Sequence, residues 1–201
     1  MTSSRFRRRL AAATLATALV PITGRIRATP LQLSAVSGSH TDRVVIDRVF
    51  VPDEHVLGTV PIERWRHDDL GTASDARPHH FGLAHTVLAE LDRSTRAPAR
   101  AVAAWRPRIA EIRSRAYQLA DEAAAVGGGR HRLDERLATK VTSGEALSTL
   151  TRALVVARSG RSLAGDDTAQ LHARSALFVL VQGQSADVRD AQLAQLAELA
   201  R

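Results

Sequence analysis

Hydrophobic residues recur at helical spacing from His80 to the end of the chain. Intervals of three and four residues place such side chains on one face of a helix, which then packs against a neighbour. The first predicted helix carries Leu83, Val87 and Leu91 on one face and ends before Pro98. The longest stripe belongs to the second predicted helix and consists of Val102, Trp105, Ile109, Ile112, Ala116, Leu119, Ala123 and Val126.

The pattern continues through three further helices. A third is predicted over about Leu133–Ser159, and Asp166 or Asp167 can cap a fourth that runs through Phe178. A last helix is predicted over Ala186–Ala200. Long antiparallel helices joined by short loops form an up-down bundle. We therefore expect a mainly α protein, with an up-down four-helix bundle over residues 80–201.

A proline within the second predicted helix and a run of glycines at its end affect the expected shape and length of that helix. Pro107 lies inside the apolar stripe, where proline kinks a helix or marks a late start. Gly127–Gly129 ends the stripe and is most simply a turn between helices. It is not a phosphate loop, because no strand precedes it and no Gly-Lys-Ser/Thr follows. Trp105 belongs to the packing stripe and does not indicate a cofactor site.

The region before the helices has a different period. Leu31–Val36 and Arg43–Val51 read as two strands joined by a turn at Ser37–His40. Two strands alone are marginal in water, so residues 31–58 are predicted to be a short β remnant that needs a larger sheet or a helix. Residues 59–79 contain prolines, a glycine and a polar cluster, and we expect an irregular linker.

Residues 1–30 have a basic start followed by an apolar run from Leu10 to Ile22, which is the order of an export signal. The same segment lacks acidic residues and is rich in arginine, as transit peptides are. It is also compatible with a disordered extension upstream of the domain. We therefore treat residues 1–30 as a signal-like or disordered segment. The expected location is cytoplasmic, with export as the alternative if the segment acts as a signal.

Composition narrows the functional classes. Of the 201 residues, 44% are hydrophobic and only 3% aromatic, which suits helices packed through alanine, leucine and valine. The net charge of +7 is concentrated near the N-terminus, because residues 1–27 hold arginines and no acid. The remainder is nearly neutral, so a nucleic-acid-binding face is not indicated. Cysteine is absent, which excludes disulfides and thiolate chemistry. No apolar run after the N-terminus is long enough for a membrane span.

Two parts of the chain resemble a known family in the same order. The first is Val44–Gly58, an apolar strand that runs into proline and two acids. The second comprises Leu154–Leu163, Thr168–Phe178 and Val181–Ser185. They resemble the end of the middle β domain and the closing half of the C-terminal helical bundle of acyl-CoA dehydrogenases. The likeness covers about residues 28–201 and is greatest to a divergent, mostly bacterial branch with flavin-dependent hydroxylase-like members.

The resemblance implies a flavoprotein oxidoreductase that acts on CoA thioesters or on flavin-activated oxygen. The family binds FAD between the middle β domain and the bundle, partly across a subunit interface. It follows that a homo-oligomer, or an assembly with a complete relative, is expected, with an acyl-CoA-type ligand. The positions that match the family's cofactor-facing surface are Gly160, Arg174, Gln182, Gln184 and Ser185.

The sequence also departs from the family. Many members place a catalytic glutamate where Gly183 stands, and glycine cannot take a proton. Leu171 and Ser175 replace an arginine and its acidic neighbour, and Arg93–Ala97 lacks the arginine-aromatic-glycine motif that faces the cofactor diphosphate. The N-terminal helical domain and most of the β domain have no counterpart. The predicted function is therefore a truncated acyl-CoA dehydrogenase-like oxidoreductase; the alternative is a non-catalytic helical oligomerisation module or pseudoenzyme.

Histidines supply the remaining candidates. His79, His80 and His85 could ligate a metal, but no pair has the i, i+4 spacing that aligns two ligands on a helix, and we predict no metal site. Because a histidine near the flavin can be functional in hydroxylase-like relatives, His80 is the single candidate for a catalytic role. The turn at Ser37–His40 lacks the Gly-x-Ser-x-Gly elbow of serine hydrolases.

Overall fold

The structure is a computed structural model that describes residues 13–97 and 99–198. The chain divides into two compact units. The first comprises the described residues up to Leu31 together with His40–Asp69, and the second comprises Gln32–Ser39 and the residues from Leu70 onward. The first unit contains the strands and the second contains the helical bundle.

The first unit holds two antiparallel sheets of two strands each. Strand β1 (Thr14–Ala18) pairs with β4 (Val56–Pro61), and β2 (Ile26–Pro30) pairs with β3 (Asp42–Ile46). The β2–β3 ladder is continued at one end by the amide of Asp47, which donates to the carbonyl of Arg25 at 2.9 Å. Every side chain of β3 is exposed, so the valines and isoleucine of this strand lie on open surface.

The strands differ from the predicted ones. Residues 31–36 do not form a strand, and the second predicted strand is shortened to Asp42–Ile46. The partner of β3 is β2, which lies inside the segment predicted to be signal-like or disordered. The reason is the turn: Val36 and His40 both have positive φ, so the chain reverses direction here and pairs residues on either side of it. Residues 1–12 lie outside the described residues, and a signal function of residues 1–30 stays a prediction.

The expected linker also proves to contain regular structure. Helix α1 (Ile62–Ala73) occupies most of residues 59–79. It is held partly by local charge pairs, with Arg66 3 residues after Glu63 and the two side chains 2.8 Å apart. Such i, i+3 pairs support a helix without an apolar stripe. The interpretation as irregular was wrong, because a short polar helix has no hydrophobic period to reveal it.

The bundle of the second unit confirms the mainly α prediction. It contains α2 (Pro78–Asp92), α3 (Ala99–Ala125), α4 (Leu133–Arg158), α5 (Thr168–Val181) and α6 (Ala186–Glu198). Helix α4 is central and packs against α2, α3, α5 and α6. The predicted apolar stripes form one core, to which α4 contributes Ala146, Leu147, Leu150 and Leu154. None of the described helices is long and apolar enough to cross a membrane.

The ends of α3 and α4 are set by local backbone geometry. Helix α3 begins at Ala99 and runs through Pro107, so the alternative of a late start is wrong. Pro107 is exposed, and the carbonyl that loses its partner there can be hydrated. After α3, Gly127 and Gly128 have φ of 85° and 75°, a conformation that glycine adopts at little cost, and the chain turns back into α4.

Candidate functional site

A network of charged side chains joins α2, α4 and α5 at the C-terminal end of α4. At its centre lies the carboxylate of Glu90 on α2, which is close to His172 of α5, with 2.8 Å between Oε1 and Nε2. Thr168 donates its hydroxyl to Oε2 of Glu90 at 2.7 Å, and Arg158 donates Nη2 to the same oxygen. Three elements that are distant in sequence are thereby tied to one carboxylate.

Arg158 extends this network to the start of α5. Its Nη1 donates to both carboxylate oxygens of Asp167 at 3.1 Å. Asp167 in turn accepts a hydrogen bond from the amide of Ala169 at 2.8 Å, which confirms the predicted N-cap. Arg158 thus bridges two acids and fixes the loop between α4 and α5.

The electrostatics keep both acids ionised. Burial on its own would raise the pKa of Glu90, but the hydrogen bonds from Thr168 and His172 and the charge of Arg158 outweigh it and leave that pKa lowered. The pKa of Asp167 is lowered first by the hydrogen bond from the amide of Ala169 and then by Arg158, against an opposing effect of burial. Both carboxylates are therefore ionised at neutral pH and form ion pairs with Arg158.

Next to this network lies an open cavity of about 470 Å³. It is bounded by the end of α2, the segment that follows it and the end of α4. Its lining residues are Glu90, Arg93, Ser94, Thr95, Arg96, Ala157, Arg158 and Arg161. The lining holds four arginines and one acid, and Asp167 pairs with Arg158 and Arg161 from outside it, so the cavity, which we call the arginine cavity, is basic.

The arginines of the arginine cavity differ in the hydrogen bonds and ion pairs that they already form within the protein. Arg158 holds two carboxylates, and Arg161 reaches only the edge of Asp167, at 3.5 Å. Arg96 donates to the hydroxyl of Ser159 at 3.3 Å, a neutral acceptor. In the described part of the chain, no hydrogen bond or ion pair of the Arg93 side chain is found. Arg93 and Arg96 are exposed and retain donors for an incoming anion.

The five positions predicted to face a cofactor fall into two groups. Gly160 lies directly after α4, between the lining residues Arg158 and Arg161. Arg174 is at the same end, where its Nη2 is 3.5 Å from the carbonyl of Gly165. Gly160 is therefore next to the arginine cavity in the chain, whereas Arg174 contacts the loop that follows it.

Gln182, Gln184 and Ser185 lie at the opposite end of α4. The carbonyl of Gly183 is 3.4 Å from Nζ of Lys140, near the start of that helix. Lys140 and Arg158 are separated by about 27 Å along the helix axis at ~1.5 Å per residue. A phosphate bound in the arginine cavity is thus out of reach of the three side chains at the far end.

The side chains at this second end make local hydrogen bonds. The hydroxyl of Ser185 accepts from the amide of Val188 at 3.3 Å, as predicted for the cap of the last helix. The amide of Gln184 donates to Gln192 at 2.9 Å. The side chain of Gln182 is exposed. A cofactor role of these residues stays a prediction.

His80, the candidate for catalysis, belongs to this second end. It is only 3% exposed, and its Nδ1 lies 3.2 Å from the backbone amide of Arg77. The ring therefore closes the first turn of α2 in the manner of a capping box. Its pKa is lowered to about 4, first by burial and then by His79 stacked against it at 4.6 Å. The ring is neutral at pH 7 and acts as a helix cap; a role in proton transfer stays a prediction.

The sequence pattern does not single out the arginine cavity. Arg93 and Arg96 follow α2, Arg158 is the last residue of α4 with Arg161 shortly after it, and about sixty residues separate the two pairs. Each pair is a short basic cluster at a helix end, which is common on surfaces. One feature of the sequence could have indicated the cavity. Both clusters lie at the C-terminal ends of helices that pack together. Among the described residues, no group of histidines and acids suited to a metal ion is found.

Comparison with solved structures identifies the fold. Glutaryl-CoA dehydrogenase in its glutaryl-CoA complex matches with a TM-score of 0.62 and 21% identity, over 87% of this chain and 48% of that one. Butyryl-CoA dehydrogenase from Megasphaera elsdenii matches with a TM-score of 0.59 and 16% identity, over 89% of this chain and 50% of that one. Glutaryl-CoA dehydrogenase from Mycobacterium smegmatis matches with a TM-score of 0.61 and 14% identity, over 90% of this chain and 50% of that one.

The comparisons establish a shared fold at low sequence identity. No family model matches the sequence, and no curated protein sequence matches it. The chain spans about half the length of the solved structures it matches. It has an acyl-CoA dehydrogenase-like fold, and its bundle is of the type found in the C-terminal domain of those enzymes.

Proposed function

We propose that this chain is an acyl-CoA dehydrogenase-like flavoprotein oxidoreductase subunit that binds FAD and holds the cofactor diphosphate in the arginine cavity. The observation that carries the proposal is the convergence of Arg93, Arg96, Arg158 and Arg161 on one cavity. FAD, when bound, supplies the capacity to accept a hydride or electrons. The chain itself supplies the charges that bind the diphosphate.

The donor set fits a diphosphate. Guanidinium groups bind phosphate oxygens with pairs of parallel N–H donors, and charge-assisted hydrogen bonds of this kind are stronger than neutral ones. The exposed side chains of Arg93 and Arg96 have N–H donors available for phosphate oxygens, whereas Arg158 already donates to Glu90 and Asp167. In the proposed complex the exposed pair therefore makes the direct contacts, and Arg158 contributes mainly its field.

Oligomerisation follows from the separation of the two predicted surfaces. Gly160 lies between two lining residues of the arginine cavity, whereas Gln182, Gln184 and Ser185 lie near Lys140, about 27 Å from Arg158 along α4. If both groups contact FAD, they contact it from different copies or different cofactors. We infer a homo-oligomer, or an assembly with a longer chain of the same fold that supplies the half this sequence does not span.

Chemistry on a thioester needs a base in addition to the cofactor. In the family-like arrangement the base position falls on Gly183, which has no side chain to take the α-proton. His80 is neutral, but its Nδ1 is engaged at the start of α2. Of the two assemblies, only the one with a longer chain of the same fold can therefore supply the base, and in it this chain contributes cofactor contacts. The substrate class, an acyl-CoA-type thioester, rests on the same assembly.

A second candidate function is a non-catalytic helical oligomerisation module. It is favoured by the apolar side chains exposed on the last two helices. Leu171, Leu177 and Val181 on α5 and Leu193 on α6 are all more than half exposed. Apolar surface of this kind is typical of faces that pack against another chain. This candidate requires self-association without flavin.

The deciding experiment is the absorption spectrum of purified protein incubated with FAD and passed through gel filtration. The first function requires flavin bands that travel with the protein, with weaker retention of riboflavin, which lacks phosphate. The paired substitution Arg93→Gln and Arg96→Gln should weaken FAD binding at least tenfold, whereas Arg113→Gln, an exposed arginine on α3, should leave it unchanged. A colourless oligomer would overturn the first function and support the second.

A further inference from the structure

A second cavity, of about 270 Å³, adjoins the arginine cavity and has the opposite character. It lies where the end of α2 meets the start of α3 and the second half of α4. The lining residues are Leu91, Arg96, Ala97, Val102, Trp105, Ala153, Val156 and Ala157. We call it the tryptophan cavity. It shares Arg96 and Ala157 with the arginine cavity, so these two residues form a common wall between them.

The walls of the tryptophan cavity are apolar and leave room. Leu91 and Val102 are buried at its base, and Trp105 is half-buried along one side. Three lining positions are alanine, whose side chain is small. A larger residue at any of them would reduce the volume of the cavity. Val156 is 76% exposed and forms part of the rim. An apolar group that enters therefore gains burial against aliphatic and aromatic surface.

Arg96 is the single charged residue in this lining. Its known partner is the neutral hydroxyl of Ser159, at 3.3 Å, so its charge is not neutralised there. An uncharged apolar ligand would leave this guanidinium exposed at the rim without a counter-charge. An anion at the rim would pair with it through charge-assisted hydrogen bonds, which are stronger than neutral ones.

We propose that the tryptophan cavity binds the alkyl chain of a linear amphipathic anion whose head group pairs with Arg96. Its volume of about 270 Å³ is just below the usual range for small-molecule sites, roughly 300–1,000 Å³, and suits one chain of medium length. The head group is a carboxylate or a phosphate monoester, since both present oxygens to a guanidinium. This site goes beyond the proposed flavin site, although the two share Arg96 and compete through it.

The site has a built-in reporter. The chain has two tryptophans, and Trp65, on α1, is not among the lining residues of the cavity. In a Trp65→Phe background, Trp105 is the only tryptophan. Titration of this variant with hexanoate, octanoate, octyl phosphate and 1-octanol, each below its micellar concentration, then follows occupancy by fluorescence.

We expect a saturable change in Trp105 fluorescence with octanoate and octyl phosphate. Each methylene that enters the cavity contributes about 0.8 kcal/mol, so affinity should rise about fourfold per carbon from hexanoate to octanoate. Octanol should bind at least tenfold more weakly than octanoate, because it lacks the charge that Arg96 pairs with. Comparison of the affinities for octyl phosphate and octanoate identifies the preferred head group. Equal affinity for octanol and octanoate, or no saturable change, would overturn the proposal.

Three variants locate the site. Ala153→Leu should abolish octanoate binding by filling the cavity, and it leaves the arginines in place, so FAD retention should persist. Val156→Glu should weaken octanoate binding at least tenfold by placing a carboxylate at an exposed rim position that tolerates substitution, whereas Val156→Gln should change it less. Unaltered octanoate binding in both Ala153→Leu and Val156→Glu contradicts the site.

Two further outcomes separate this site from its competitors. If loss of octanoate binding in Ala153→Leu occurs with normal FAD retention, the tryptophan cavity stands independently of the flavin proposal. If FAD fails to bind any variant but octanoate binds the parent protein, only the flavin proposal fails. A fluorescence change that follows protein concentration and not ligand concentration would assign the cavity to a second copy of the chain and overturn the ligand proposal.

Discussion

Arg136 of α4 and Asp75, just before α2, form a two-pronged ion pair in which Nε and Nη2 of the guanidinium lie 2.7 and 3.0 Å from the two carboxylate oxygens. The Arg136 side chain is 1% exposed. Its remaining donors serve backbone carbonyls, those of Gly129 at 3.0 Å and of Gly71. One arginine thus joins the end of α1, the turn before α4 and the segment before α2.

Asp75→Ala should lower the free energy of unfolding by about 3 kcal/mol, because it leaves a buried guanidinium without its counter-charge. Urea denaturation at pH 7 measures this change. Glu63→Ala, which breaks an exposed pair with Arg66, should cost less than about 1 kcal/mol and is the matched control. Equal effects of the two substitutions would show that the Arg136–Asp75 pair is not the buried tie described above.

Stability should fall on mild acidification because of His80. Its pKa of about 4 in the folded protein lies below the usual 6.5, so the unfolded chain takes up a proton first as the pH drops. The stabilisation is fully present above pH 6.5 and is lost as the pH falls from 6.5 to 4. At pH 5 the loss attributable to His80 is about 2 kcal/mol relative to pH 7. His79, whose pKa is also lowered, acts in the same direction.

His80→Gln separates this effect from other titrations. Glutamine does not titrate, and at the third helical position it can still accept a hydrogen bond from the amide of Arg77. Denaturation curves at pH 7 and pH 5 should therefore show a smaller loss of stability in the variant than in the parent protein. An unchanged difference between the two pH values would contradict the lowered pKa of His80.

Leu150 lies at the middle of the core. It is 0% exposed and sits on α4, the helix that packs against most others. Leu150→Ala should lower the free energy of unfolding by about 3 kcal/mol through lost burial and a residual cavity. Leu177→Ala, on the exposed face of α5, should cost less than about 1 kcal/mol in a dilute sample. Thermal or urea denaturation of the pair tests whether α4 is the central helix.

Two glycines inside helices should respond oppositely to replacement by alanine. A Cβ on Gly82 of α2 meets nothing within 4 Å, so Gly82→Ala should raise stability by up to about 1 kcal/mol through helix propensity. A Cβ on Gly71 of α1 would lie 3.0 Å from the backbone nitrogen of Gly129, and that turn is fixed by its bond to Arg136. Gly71→Ala should therefore give no gain, or a loss, in the same denaturation assay.

The sequence predicts the bundle well and the rest of the protein less well. Residues such as Val102, Ile109 and Leu119 recur at helical spacing over many turns, so helix existence and inward faces follow directly. Helix α1 escapes prediction because its surface is mostly polar and Leu70 is its one buried residue, so no apolar period marks it. Strand β2 is not predicted because its pairing depends on a turn with positive φ at Val36 and His40. The residue types at these two positions do not indicate such backbone angles.

The candidate site is harder to predict for a geometric reason. Arg96 and Arg158 come together only because α2 and α4 pack with these ends aligned, which is a property of the bundle and not of either segment. The family resemblance singles out Gly160, which lies between the lining residues Arg158 and Arg161, and its role toward a cofactor stays a prediction. Gln182 and Ser185 resemble the same family surface, yet they lie at the other end of α4.

Lys140 is the only lysine in the chain, and its ammonium group is buried against the carbonyls of Ala73 and Gly183. Apart from the α-amino group, the protein thus presents no primary amine at its surface while it is folded. Amine-reactive reagents should then label the native protein selectively at its N-terminus, which permits attachment of a dye or a solid support at one defined point. Modification of Lys140 would record each opening of the contact between α1, α4 and the segment after α5.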